Sequence, residues 1–188
     1  MIYIYYHIAL IGDHARIVNN TVNKILSSKL YEAVNSINCL VYKDVTEFEY
    51  PTLNKLYEHS IVEDAYFLYI HTKGVNPDWA HINQEHLADW RNLMEYFTIE
   101  KWKKCVESLE KYDTIGVNFG YKPYKHYSGN FWWSKSSYLR TLEKPKRTKN
   151  RFEHEAWIGT GNINPCLLHS SNVNHYYSLY PKSKYEVI

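Results

Sequence analysis

Residues 2–6, Ile-Tyr-Ile-Tyr-Tyr, open the chain as an unbroken apolar run of β-branched and aromatic side chains, which predicts a strand. Gly12-Asp13 supplies a turn and a helix N-cap, after which Val18, Val22, Ile25, Leu26 and Leu30 recur at helical spacing. A second strand is expected at residues 39–42, and Pro51 starts a short helix carrying Leu53, Leu56 and Tyr57. Residues 65–70, Ala-Tyr-Phe-Leu-Tyr-Ile, are apolar on both faces, the pattern of a central strand in a parallel sheet. That strand ends abruptly in His71-Thr72-Lys73-Gly74.

Two helices follow, one with Leu87, Trp90, Leu93, Met94 and Phe97 on its apolar side, the other capped by Thr98 and carrying Ile99, Trp102, Val106 and Leu109. Residues 114–118 and the Phe131-Trp132-Trp133 segment are expected as strands. A helix over 136–142, a basic loop, a helix around 153–158 and a last strand at 166–168 complete the order. Alternating strands and helices in the first half predict an open α/β sheet with right-handed crossovers, and the second half is more mixed.

The 188 residues suit one domain, which at this size buries roughly 70% of its extended-chain surface and needs neither disulfide nor metal to fold. Twenty-two basic against twenty acidic residues give a net charge of +2, which argues against a general binder of nucleic-acid polyanions. Cys39, Cys105 and Cys166 stand far apart, so neither a disulfide framework nor a zinc ribbon fits. The longest apolar run, residues 2–11, is too short to span a bilayer and lacks a basic leader. A cytoplasmic protein with no transmembrane segment is expected. The outstanding enrichment is aromatic, with 19 Tyr, 6 Trp and 6 Phe, and such faces serve sugars, bases and protein partners alike.

In an open α/β sheet the ligand lies beyond the carboxyl ends of the strands, so the residues leaving each strand are the ones to weigh. A buried strand delivering His71 and Lys73 together builds a cationic rim suited to a phosphate or diphosphate, with Gly74 permitting a tight turn. The plain alternative is a solvated Lys73 and a His71 that satisfies a local backbone group. Trp132 and Trp133 are neighbours in a strand and point to opposite faces, so one is expected in the core and the other on a pocket wall beside Asn130. Glu153 and Glu155 cannot share a helix face, so at most one enters a site; a carboxylate near an aromatic wall is a candidate general base. Its alternative is a solvated helix with Arg151 and Glu155 paired at i,i+4. His169 and His175 are candidate metal ligands, although no HExxH or HxH pattern is present. The basic residues between Lys144 and Arg151 form either a solvated loop or a flap that meets an anion.

Tyr5-Tyr6-His7-Ile8, Pro51-Thr52-Leu53-Asn54-Lys55-Leu56, the Leu68 to Gly74 stretch, Trp90-Arg91 and the His126 to Ser134 stretch resemble small GT-A-type glycosyltransferases of bacterial and large-virus polysaccharide clusters, related to rhamnan-synthesis proteins. The resemblance implies a GT-A-like mixed, mostly parallel sheet flanked by helices, as in nucleotide-diphospho-sugar transferases. It further implies one domain over 1–188, with a nucleotide-sugar-binding half at 1–118 and an acceptor-binding half at 119–188. The expected activity is transfer of a sugar from a nucleotide-sugar donor to a glycan or saccharide acceptor. His7, Lys55, His71, Thr72, Lys73 and Gly74 would bind the donor, Asn130, Trp132 and Trp133 the acceptor, and Glu155 or Glu153 would act as base. His71-Thr72-Lys73 stands where ordinary GT-A enzymes carry a metal-chelating Asp-x-Asp, so Lys73 can meet the diphosphate charge directly and a need for Mn or Mg stays open. Two other classes compete: a non-catalytic carbohydrate or nucleotide-sugar binding module, and a metal-dependent phosphoesterase using the scattered histidines. They are told apart by whether Glu155 and Lys73 face one cleft.

Overall fold

The computed structural model describes residues 1–75 and 83–186. The first apolar run forms β1 (Ile2–Ala9), which extends past the expected residues 2–6, and beyond it Leu10 N donates to Tyr42 O at 2.9 Å. Helix α1 (His14–Ser27) follows, with Asp13 at its N-cap; the Asp13 carboxylate pairs with Arg16 and makes no capping hydrogen bond. A short α2 (Leu30–Ala33) leads to β2 (Ser36–Tyr42), and α3 (Tyr50–Val62) carries Pro51 in its first turn, where a missing N–H costs nothing. β3 (Tyr66–His71) is the buried central strand, and α4 (Gln84–Glu95) follows it.

Thr98 is not a helix cap. Helix α4 runs on through a π-turn at Tyr96–Glu100 before α5 (Trp102–Ser108), and inside that turn the Thr98 hydroxyl donates back to Met94 O at 2.8 Å. A hydroxyl that can serve a cap equally serves an interior carbonyl, which sequence alone does not decide. The remaining elements are β4 (Thr114–Val117), β5 (Phe119–Gly120), β6 (His126–Tyr127), β7 (Trp132–Lys135), α6 (Ser136–Leu139), α7 (Arg151–Ala156) and β8 (Pro165–His169).

Among the described residues six strands form one sheet in the order β2-β1-β3-β7-β4-β8, while β5 and β6 pair separately. Only β7 runs against the others. The fold is therefore mixed α/β, with a mostly parallel sheet between two layers of helices. Ile4, Tyr6, Leu68, Ile70, Ile115 and Trp133 pack on one face against Ile25 of α1 and Leu93 and Met94 of α4. Tyr5, Phe67, Tyr69 and Trp132 pack on the other against Leu53 and Leu56 of α3, Leu139 of α6 and Trp157. Strand β7 comes from the second half of the chain yet lies between β3 and β4, so the boundary expected at residues 118–119 does not separate two structural halves.

Candidate functional site

β1 connects through α1 to β2 on one side, and the chain then crosses back so that β3 lies on the other side of β1. Connections that leave in opposite directions open a crevice at the carboxyl ends of the two strands. His7 and His71 are direct register partners at those ends. They line a cleft open to solvent, together with Phe48, Glu49, Thr72, Lys73, Gly74, Arg151 and Glu155.

Each strand end is held by its neighbour. The Ala9 amide donates to Thr72 Oγ1 at 3.0 Å and the Thr72 amide to His7 O at 3.0 Å, which fixes the turn that follows β3. Gly74 has φ of +82°, the conformation its missing side chain allows. Lys73 is buried; its Nζ lies 4.3 Å from the centre of the Trp90 ring, and its carbonyl accepts from Arg91 Nη1 at 2.7 Å. From the far side α7 brings Arg151 and Glu155, whose Nε and Oε1 are 3.9 Å apart, so the i,i+4 pair forms and still faces the cleft.

The two histidines are not cations. His7 is buried, its Nδ1 is 2.8 Å from Thr52 Oγ1, and its ring stacks on Tyr42. Burial lowers its pKa to about 4, with the nearby Glu49 charge acting in the opposite direction. Burial, and then the Lys73 ammonium, lower His71 to about 4 as well. His71 Nε2 donates to Gly129 O at 2.9 Å. The expected cationic rim is thus Lys73 and Arg151, with His71 a neutral ring that does satisfy a backbone carbonyl.

Glu49 escaped the sequence reading. It occupies the N-cap position of α3, where the partial positive end of the helix favours a carboxylate. Its Oε2 accepts from the Tyr69 hydroxyl at 3.0 Å and from Asn130 Nδ2, and Oε1 lies 3.7 Å from His71 Nδ1. Asn130 in turn accepts from Trp132 Nε1 at 2.8 Å and sits at φ of +57°. An acid two residues before a helix-starting proline was the available signal.

Other expected site residues lie elsewhere. Lys55 is exposed on α3 and is not among the cleft's lining residues; Glu153 is exposed and borders a separate depression. Trp132 and Trp133 do point to opposite faces, but they are 1% and 0% exposed, so both are core and neither is a pocket wall. The sheet is covered on both sides at β7, which leaves no open face for an indole. Asn130 is likewise buried and committed to Glu49 and Trp132. His169 Nε2 is 2.9 Å from the Tyr180 hydroxyl, and the buried His175 bonds to Ser171 and Asn118 through Nε2 and stacks on Trp90. Among the described residues no group of three or more His, Cys, Asp or Glu side chains is arranged to hold a metal ion. In the basic loop Lys144 pairs with Glu58, Lys146 with Glu143 and Arg147 with Glu47, so these cations meet the chain's own carboxylates. The three cysteines are unpaired, and among the described residues no helix is long and apolar enough to cross a membrane.

A family model described as a domain of unknown function (DUF8361) matches residues 4–156, a span that takes in most of β1, the turn after β3, Glu49 and Glu155. No curated protein and no solved structure matches the chain.

Proposed function

The chain belongs to the DUF8361 family, and from its cleft we propose that it is a glycosyltransferase of GT-A type that moves a sugar from a nucleotide-sugar donor to a saccharide or glycan acceptor. The observation that carries this is that Lys73 and Glu155, far apart in sequence and delivered by opposite walls, line one cleft at the switch point of the sheet. The mixed, mostly parallel sheet is of the kind the sequence resemblance implies.

In this reading Lys73 and Arg151 neutralise the diphosphate as the bond to the sugar breaks, the electrostatic task that usually carries most weight. Glu155 takes the proton of the attacking acceptor hydroxyl, which favours inversion at the anomeric carbon. His7 and His71, neutral, shape the wall. Among the described residues no group of three or more metal-ligating side chains is gathered, and no step is assigned to Mn or Mg.

The test is turnover of UDP-, GDP- and dTDP-sugars, with both hydrolysis and transfer followed. Glu155→Gln is expected to lower kcat by about 10²–10⁴, the usual share of a general base, with donor affinity kept. Glu153→Gln is expected to turn over normally. Wild-type protein that binds these sugars without consuming them is a binding module, and two fully active variants rule out Glu155 as the base.

A further inference from the structure

Two acceptors face each other in the cleft with nothing to donate between them. A carbonyl only accepts, so the 2.9 Å bond from His71 Nε2 to Gly129 O places the ring proton on Nε2. In the neutral ring Nδ1 is then a bare lone pair. Glu49 is fixed by two donors on Oε2, while Oε1 accepts no hydrogen bond among the described residues and stands 3.7 Å from His71 Nδ1. That separation is too long for a hydrogen bond. Both side chains remain 11–14% exposed, so the pair is open to a ligand.

The pair is also built rather than incidental. Tyr69 and Asn130 hold the carboxylate, Trp132 holds Asn130, and the Gly129 carbonyl holds the imidazole. Rigid acceptors whose own partners are all used elsewhere read ligand donors, because an unmatched buried acceptor costs more than a matched one returns.

We infer that Glu49 Oε1 and His71 Nδ1 together bind a sugar vicinal diol, each accepting one hydroxyl hydrogen. This rests on the proposed function only in taking the ligand to be a sugar. The diol has two sources, the ribose of the nucleotide and the hexose of donor or acceptor. No proton is transferred, so Glu49 and His71 are binding and positioning residues.

Glu49→Gln tests it directly, since an amide nitrogen at the Oε1 position is a donor and no longer accepts a hydroxyl hydrogen, while the remaining oxygen keeps Tyr69 and Asn130. Calorimetry with UDP against 2′-deoxy-UDP reads the ribose, and methyl glucoside and methyl mannoside against their 3-deoxy forms, which have no vicinal hydroxyl pair left on the ring, read the hexose. Wild-type protein is expected to prefer the diol in one arm by about 10- to 100-fold, the equivalent of one hydrogen bond to a charged group, and Glu49→Gln to lose that preference with its melting temperature kept or raised. No diol preference in either arm, or a preference that survives in Glu49→Gln, overturns the inference. So does a protonated His71 Nδ1 in nitrogen NMR of the ligand-free protein. Diol-dependent glycoside binding without any nucleotide binding would sink the proposed function and leave this inference standing.

Discussion

The carboxyl edge of the sheet has two ends that look alike in sequence and differ in the folded protein. At β1 and β3 it delivers His7 and His71; at β4 and β8 it delivers Asn118, His169 and, just beyond, His175. The first end is open, because Glu49, Arg151 and Glu155 come from other segments and face the strands across solvent. The second is closed by the chain itself. The Ser171 amide donates to Asn118 Oδ1 at 2.8 Å, which turns the Asn118 amide nitrogen toward His175 Nε2, and Tyr180 meets His169. Later segments hold histidines at both ends, Thr52 and Gly129 O holding His7 and His71 at the first, so what sets the first end apart is the open cleft that its rings line.

The largest contrast concerns the two indoles beneath these ends. Trp132 stacks on Tyr69 and holds Asn130 under the open end, whereas Trp133 donates to Thr98 O at 2.8 Å in the other layer. Either residue changed to alanine is expected to cost about 3–5 kcal/mol in denaturant unfolding, as large aromatic truncations in a packed core do. Phenylalanine separates them: Trp132→Phe releases Asn130 and should weaken sugar binding, while Trp133→Phe should lower stability alone. Equal kinetic effects from both would mean that the open end is not supported through Asn130.

The sheet and its central strand are legible in sequence because β1 and β3 are buried on both faces, and a strand of that kind has no polar positions to blur its pattern. The His71 to Gly74 turn is legible for the same reason, since a buried run that stops at a charged pair marks its own end. The acceptor side is not. Asn130, Trp132 and Trp133 look like a wall until it is known that β7 is inserted between β3 and β4 with helices over both faces. Glu49 was hidden because its value comes from Tyr69, His71 and Asn130, distant in sequence and joined only by the fold. Nor is the place of β7 in the sheet legible, because strand order is not chain order.

A smaller effect distinguishes the cations and histidines of the two ends. Lys73→Ala is expected to weaken UDP, GDP or dTDP binding by about 1.5–3 kcal/mol, the range for hydrogen bonds to charged groups. His175→Ala, at the closed end, should leave nucleotide affinity intact and lower stability by about 1–3 kcal/mol, since it strips Ser171 and Asn118 of a buried partner. Calorimetry and thermal melting on the same two variants read both quantities. Nucleotide affinity that falls with His175 and not with Lys73 would exchange the roles of the two ends.

The finest test is pH, because His7, His71 and His175 share one direction of shift from opposite ends. Burial lowers all three from 6.5 to about 4. Between those values the unfolded chain binds protons that the folded protein excludes, so stability is full above pH 6.5 and falls as pH drops toward 4. Acidification over that window should therefore lower the melting temperature, and His175→Asn should shallow the fall. Saturating UDP adds a distinction between the ends: the diphosphate's negative charge favours protonated imidazole at His7 and His71, which line the cleft, and not at the enclosed His175. Bound UDP should thus flatten the acid limb in wild type, and flatten it further in His175→Asn. A melting temperature that is level from pH 6.5 to 4 without ligand would show that these rings are not held neutral, and with it the assignment of a bare Nδ1 on His71 would fall.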